Sequence, residues 1–265
     1  MTYNIIRNVR ENSIFSFKSL LIAGGVHATI YPEETLIDLN IDVVVIGPGE
    51  ETILEIVDEF SSRNFSKIKG VCYKQDDSIY RTDERKLKRG LDHLPVIPAR
   101  HLLPIEDNIM SNRLSNTSLK MTHVMFTQGC PYSCNFCASQ QRKMQYRSAW
   151  HIQKELIHLI KTYSIEGFAV VGDNFLVNKE KTRNICGIIA GLDLKWSTLS
   201  RVDTVEYDIL ETMYDAGCIE IKFGVESGSD KMLKAMGKNI SLDQICNAIK
   251  ITNSVGIKVK IFLVH

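Results

Sequence analysis

The chain has 265 residues, 44% hydrophobic and 24% charged, which is the composition of a globular protein and not of a disordered or fibrous one. Its 32 basic residues balance 31 acidic ones to a formal charge of +1, so no net field draws in nucleic acid or an anionic membrane surface. Apolar runs such as Val43–Ile46 are far too short to span a membrane, and the opening MTYNIIRNVRENS lacks the apolar core of a signal peptide. A cytoplasmic protein with no membrane and no nucleic-acid partner is the expectation.

Residues 1–74 read as βα units. Leu20–Ala23 is a short apolar strand ending at Gly24-Gly25, and Asp42–Ile46 is a second ending at Gly47-Pro48-Gly49. A helix follows with Ile53, Leu54, Ile56, Val57 and Phe60 at helical spacing. Strands that end in glycine before a helix suit an open parallel sheet with ligands at the strand C-termini. Residues 75–120 break the rhythm with the charged run RTDERKLKRG (81–90) and with Pro95, Pro98 and Pro104, and read as a connector whose basic run is a solvated face.

From His123 the alternation returns. Val124–Phe126 is a strand, and the next helix carries Ile152, Leu156, Leu159, Ile160 and Tyr163 on one face. Phe168–Val171 is a strand ending at Gly172-Asp173-Asn174, followed by a helix over 179–191 with Ile185, Ile188 and Ile189 inward. Trp196–Leu199 ends at Ser200-Arg201, and a helix over 205–216 stops at Gly217. Ile219–Val225 ends at Glu226-Ser227-Gly228. Ser241 and Gln244 then have capping-box spacing for a helix that closes at Gly256, and Ile257–His265 is a fifth strand. With the cysteine-bearing loop that follows Val124–Phe126, four polar clusters thus fall on one rim, at the C-terminal ends of parallel strands, where α/β folds place their chemistry. The sheet stays open or curls into a barrel, and both chain ends read as cut.

Seven cysteines, an odd number in a cytoplasmic chain, argue against a disulfide framework. Cys72, Cys186, Cys218 and Cys246 stand alone in apolar surroundings and read as core packing, whereas Cys130, Cys134 and Cys137 crowd into eight residues. Closed zinc sites take four ligands, usually as two distant C-x2-C pairs, and no second pair exists here. Iron–sulfur clusters are held by thiolates, usually four, so three on a tight loop would leave one iron of a four-iron cluster open to a small molecule.

The loop C-P-Y-S-C-N-F-C (130–137), after an apolar strand and before a helix, resembles the signature loop of radical S-adenosylmethionine enzymes. The resemblance implies that Cys130, Cys134 and Cys137 bind a [4Fe–4S] cluster whose fourth iron is chelated by S-adenosylmethionine. One electron then cleaves the sulfonium to methionine and a 5′-deoxyadenosyl radical. It further implies Phe136 against the adenine, Asp173 and Asn174 toward the methionine amine, and Glu226 of G-V-E-S-G-S (224–229) on the ribose. Arg201 is implied on the carboxylate by a bidentate fork, with an ion pair to Asp203 or Glu226 as the competing use. Helix capping is the structural alternative for Asp173, Asn174 and the serines after Glu226.

The front zone, with G-G-V-H-A-T (24–29) and G-P-G-E-E-T (47–52), resembles the second half of the cobalamin-binding domain fused ahead of such barrels, although the D-x-H-x-x-G motif is absent. L-D-H-L-P-V-I-P-A-R-H-L-L-P (91–104) resembles the linker between the two modules. The expected architecture is therefore α/β: a partial cobalamin-binding-like, flavodoxin-like parallel sheet (1–74), a linker (75–120) and a C-terminally incomplete radical-SAM-type (β/α) barrel (121–265). The expected activity is cleavage of S-adenosylmethionine for methylation or another radical modification of an unknown small-molecule or peptide substrate. An electron donor such as flavodoxin or ferredoxin, and cobalamin as a further cofactor, are implied with it. Two alternatives stay open: an iron–sulfur protein that catalyses nothing, and a zinc-binding interaction module.

Overall fold

The repeated βα units build the largest of three sheets among the described residues. A computed structural model describes residues 5–6, 8–9, 19–76, 78–104, 109–114, 117–139 and 143–264, and the chain divides into two compact units, Met1–Lys88 and Arg89–His265. Among the described residues no helix is long and apolar enough to cross a membrane.

The first unit holds strands β1 (Ile22–Ala23), β2 (Val43–Val45), β3 (Val71–Gln75) and β4 (Ser78–Arg81), in that spatial order. β1 and β2 are parallel, as expected, but β2–β3 and β3–β4 are antiparallel, so this sheet is mixed. The antiparallel half follows from a hairpin, β3–β4, in which Cys72, Tyr73 and Lys74 pair with Arg81, Tyr80 and Ile79. Helices α1 (Val26–Ile30), α2 (Pro32–Asp38) and α3 (Glu50–Asp58) follow the glycine turns. The apolar face expected of α3 is corrected: Ile56 is buried, while Ile53, Leu54, Val57 and Phe60 are exposed. The helix presses only its 52/56 side onto Val43, Val45 and Val71 of the sheet.

In the second unit β5 (Met110–Leu114), β6 (Thr117–Met125), β9 (Gly167–Val171), β10 (Lys195–Ser200), β11 (Cys218–Glu226) and β12 (Lys258–Leu263) form one six-stranded sheet in the order β12-β11-β10-β9-β6-β5. β6, β9, β10, β11 and β12 are parallel, each beside its predecessor, and β5 adds an antiparallel edge. The stretch read as a connector therefore supplies β4, β5 and the first residues of β6. His265, expected to close the fifth strand, lies outside the described residues.

Between the strands run α4 (Ala149–Tyr163), α5 (Lys179–Ile189), α6 (Tyr207–Asp215), α7 (Asp230–Ala235) and α8 (Leu242–Val255). α4 packs on α5, α5 on α6 and α6 on α8. Ile152, Leu156, Leu159, Ile185 and Ile189 are buried with Phe126, Phe168 and Trp196 in the main core. The local signals hold: Ser241 Oγ accepts the Gln244 N–H at 3.2 Å, Gln244 Oε1 accepts the Ser241 N–H at 2.9 Å, and Gly217 and Gly256 take left-handed φ of 90° and 99°. Cys72, Cys186 and Cys218 are buried as expected, but Cys246 is exposed, because it lies on the outer side of α8, away from Ile245, Ala248 and Thr252.

Candidate functional site

A short antiparallel ribbon, β7 (Thr127–Gln128) with β8 (Gln145–Tyr146), closes the base of the cysteine loop directly after β6. The ribbon has no sequence signal, since two residues per strand carry no periodicity. Cys134 is buried and Cys130 and Cys137 are half-buried, while Phe136 is 48% exposed at the rim.

Three neighbours pin this loop. At its entry the Gly129 N–H donates to Asp173 Oδ2 at 2.7 Å, beyond the end of β9. In its middle the Asn135 N–H donates to the Met236 carbonyl at 2.9 Å, and Asn135 Nδ2 to the Ala235 carbonyl at 3.0 Å. These carbonyls belong to the last residue of α7 and to its C-cap, just before Gly237, which has φ 66°; a Cβ on Gly237 would lie 2.9 Å from Asn135 Oδ1 and 3.2 Å from the Ser133 carbonyl. At its buried cysteine, Arg201 Nη1 donates to Cys134 Sγ at 3.5 Å.

Arg201 is only 6% exposed. Its Nε and Nη2 donate to the two Asp203 oxygens at 2.9 Å each, Nη2 also to the Lys238 carbonyl at 2.7 Å, and its guanidinium lies 3.8 Å from the Tyr132 ring centroid. Of the two uses expected for this residue, the ion pair with Asp203 is the one formed. Four of its five N–H donors are engaged, so no parallel pair is left for a second carboxylate. Burial alone would lower the Arg201 pKa, but the Asp203 hydrogen bonds and charge outweigh it and raise it, so the group is a fixed cation.

Asn174 is fully buried. Its Oδ1 accepts from Ser200 Oγ at 2.8 Å, and its Nδ2 has no hydrogen-bond partner among the described residues. Glu226 carries a left-handed φ of 68° and pairs with Lys238 at 2.8 Å. Helix capping falls to Ser229, whose side chain accepts the Met232 N–H at the start of α7. Lys238 is the residue that sequence reasoning missed: nothing in A-M-G-K-N (235–239) marks this lysine as buried, yet it is 5% exposed with its ammonium 5.9 Å from the Phe136 ring centroid.

The donor set is three thiols with no imidazole or carboxylate among them. Among the described residues no three His, Cys, Asp or Glu side chains close on a point as ligands of one ion would. A four-iron cluster takes each thiolate on a different iron and needs no such convergence. Burial pushes the Cys130 thiol up, and the Asp173 and Cys137 charges add to it, while the Tyr132 backbone N–H and Arg201 oppose it. The residues fit the cluster.

The sequence pattern of the radical SAM superfamily matches residues 124–265. An uncharacterized methyltransferase of Pyrococcus horikoshii is 32% identical over 96% of this chain and 54% of its own length. The cytidylyl-2-hydroxyethylphosphonate methyltransferase of Streptomyces wedmorensis is 25% identical over 91% of this chain and 51% of its own. The chain thus spans about half the length of these curated relatives. Among solved structures, the cobalamin-dependent S-adenosylmethionine radical enzyme OxsB with aqua-cobalamin bound aligns over 98% of this chain and 38% of its own, with TM-score 0.78 and 18% identity. TsrM from Kitasatospora setae with cobalamin and a [4Fe–4S] cluster bound aligns over 98% and 51%, with TM-score 0.73 and 14% identity. At such identities the two structures speak for the fold alone. With its family pattern covering more than half of the residues and the thiol loop at the head of that match, the chain belongs to the radical SAM superfamily.

Proposed function

We propose that Cys130, Cys134 and Cys137 hold a [4Fe–4S] cluster beside S-adenosylmethionine, and that the chain serves methylation or another radical modification of a small-molecule or peptide substrate. The observation that carries this reading is an all-thiol loop at the C-terminal end of β6, fastened by Asp173, by the 235–238 turn and by Arg201. When bound, the group supplies the electron that splits S-adenosylmethionine into methionine and a 5′-deoxyadenosyl radical. The protein's share is binding, orientation and exclusion of side reactions.

Phe136 offers an exposed ring to the adenine, and Glu226, its carboxylate aimed by Lys238, faces the ribose hydroxyls. Asn174 has a buried donor to spare for the methionine moiety, with Asp173 at its side. A partial radical-SAM-type barrel is the finer architecture that goes with this reading, with a flavodoxin or ferredoxin as electron donor.

Anaerobic reconstitution with iron and sulfide, followed by an assay for 5′-deoxyadenosine with S-adenosylmethionine and dithionite, tests the reading. Product from the native chain that vanishes in Cys134→Ala supports it. A visible cluster without cleavage favours the non-catalytic iron–sulfur protein, and bound zinc without a chromophore favours the interaction module.

Cobalamin on the first unit is a second, finer reading, favoured by a cavity of about 550 Å³ at the end of β1 lined by Gly24, His27, Ala28, Glu34 and Asp38. Its size suits a nucleotide-like tail and not a whole corrin. Retention of the cobalamin chromophore through gel filtration with the full chain supports this reading, and its loss sinks it.

A further inference from the structure

We propose that Arg201 acts on the cluster and not on the cosubstrate: it is a positioning residue that holds the Cys134 sulfur and raises the reduction potential of the group bound there. This assignment rests on the proposed function above. The guanidinium is buried, donates to Cys134 Sγ at 3.5 Å, and is held on its remaining sides by the Asp203 carboxylate, the Lys238 carbonyl and the Tyr132 ring. So anchored, it cannot swing out to follow a ligand. A fixed cation that donates to a ligand sulfur stabilises the more electron-rich state of an iron–sulfur centre, because hydrogen bonds to the sulfurs, net charge and burial set its potential.

Asp203, on the far side of the same guanidinium, opposes this effect. The two residues therefore have opposite signs: loss of the cation lowers the potential, and loss of the anion raises it. General damage to the loop would not produce that antisymmetry.

The test uses the full chain, reconstituted anaerobically without S-adenosylmethionine and titrated with dithionite while the reduced cluster is followed by electron paramagnetic resonance. Arg201→Met is expected to move the midpoint down by about 59 mV or more, a tenfold change in the one-electron equilibrium. Asp203→Asn is expected to move it up, and Arg201→Lys to return part of the loss. If Arg201→Met holds no iron, Asp203→Asn decides alone. Shifts of one sign in Arg201→Met and Asp203→Asn, or no shift in either, overturn the assignment while leaving the proposed function intact. A potential unmoved in Arg201→Met together with lost S-adenosylmethionine binding returns Arg201 to the carboxylate. A native chain that takes up no cluster overturns the proposed function, and this assignment falls with it.

Discussion

The Lys238 ammonium lies 2.8 Å from Glu226 Oε1, the two side chains are 6% and 12% exposed, and Glu226 reaches this partner from a left-handed backbone at φ 68°. A non-glycine residue in that region costs about 1–2 kcal/mol, so the surrounding structure must hold it there. Gly224 gives the room: a Cβ on it would lie 2.5 Å from the same Glu226 oxygen. The register of β11 against β12 shifts between Gly224 and Glu226, which turns the carboxylate back over the sheet end.

Lys238→Met leaves the Glu226 carboxylate in a nearly dry site without its cation. A loss of about 3 kcal/mol in unfolding free energy is expected, because a buried charge stripped of its partner is costly. Lys238→Met with Glu226→Gln should recover part of it. Urea unfolding of the single and double variants measures both. A single variant within experimental error of the native chain would show that the pair is solvated.

Gly237→Ala strikes the clasp on the cysteine loop. Its Cβ would sit 2.9 Å from Asn135 Oδ1 at φ 66°, so both backbone strain and the Asn135 contact oppose it. The expected cost is about 1–2 kcal/mol, concentrated in the loop. Iron bound per chain after reconstitution should fall, while the far-UV circular dichroism of the folded chain stays unchanged. Unaltered iron content would separate the turn from the loop's function.

What the sequence made legible was whatever repeats or punctuates. The five parallel strands, the inward faces of α4 and α5, the capping box at Ser241 and the glycine stops at 217 and 256 are written locally, in periods of two and 3.6 and in turn chemistry. The three cysteines stood out because their spacing is unusual and matches the signature loop that the chain resembles. Lys238 did not, because its burial depends on a turn a hundred residues from the loop it faces. The outward turn of Ile53, Leu54 and Val57 also escaped, since periodicity tells which residues share a face and not whether the sheet beside it is wide enough to cover them. β4 (SIYR) and β5 (MSNRL) escaped because each is a short edge strand with one or two apolar side chains, too few to show alternation, and the charged run and prolines between them drew the whole stretch into a connector.

The single cysteines divide by position. Burial pushes the Cys186 thiol up to about 12 and raises that of Cys218 as well, and Cys72 is also raised, by burial first and then by Glu33. In the native chain at pH 8 a thiol reagent should label exposed Cys246 and leave these three untouched until denaturant is added. The Cys186 shift also sets a pH trend. Its pKa is higher folded than unfolded, so above the unfolded value of 9.0 the unfolded chain has lost the proton and the folded chain keeps it. The stability is fully present below that pH and declines by up to about 1.4 kcal/mol per unit as pH climbs toward 12. Cys186→Ala should flatten the decline in a series of urea melts. An equal slope in both chains would place the titration elsewhere.

Glu155 anchors the strand that feeds the cysteine loop. Its carboxylate, on the buried side of α4, pairs with Arg147 and, at 2.6 Å, with Arg100. Arg147 also donates to the Met125 and Val96 carbonyls at 3.2 and 2.9 Å, and Arg100 to the His123 carbonyl at 2.8 Å. One carboxylate thus holds two cations that together clasp the end of β6 and the segment before it. Glu155→Gln leaves two guanidiniums facing a neutral amide, with an expected loss of about 3–5 kcal/mol. Because those guanidiniums bind the carbonyls just before Phe126, iron retention after reconstitution should weaken along with the melting temperature. Glu155→Asp keeps the charge but shortens the reach, and should fall between the two. A Gln variant that melts lower yet binds iron as the native chain does would confine the cluster to a general part in stability and leave the loop independent of it.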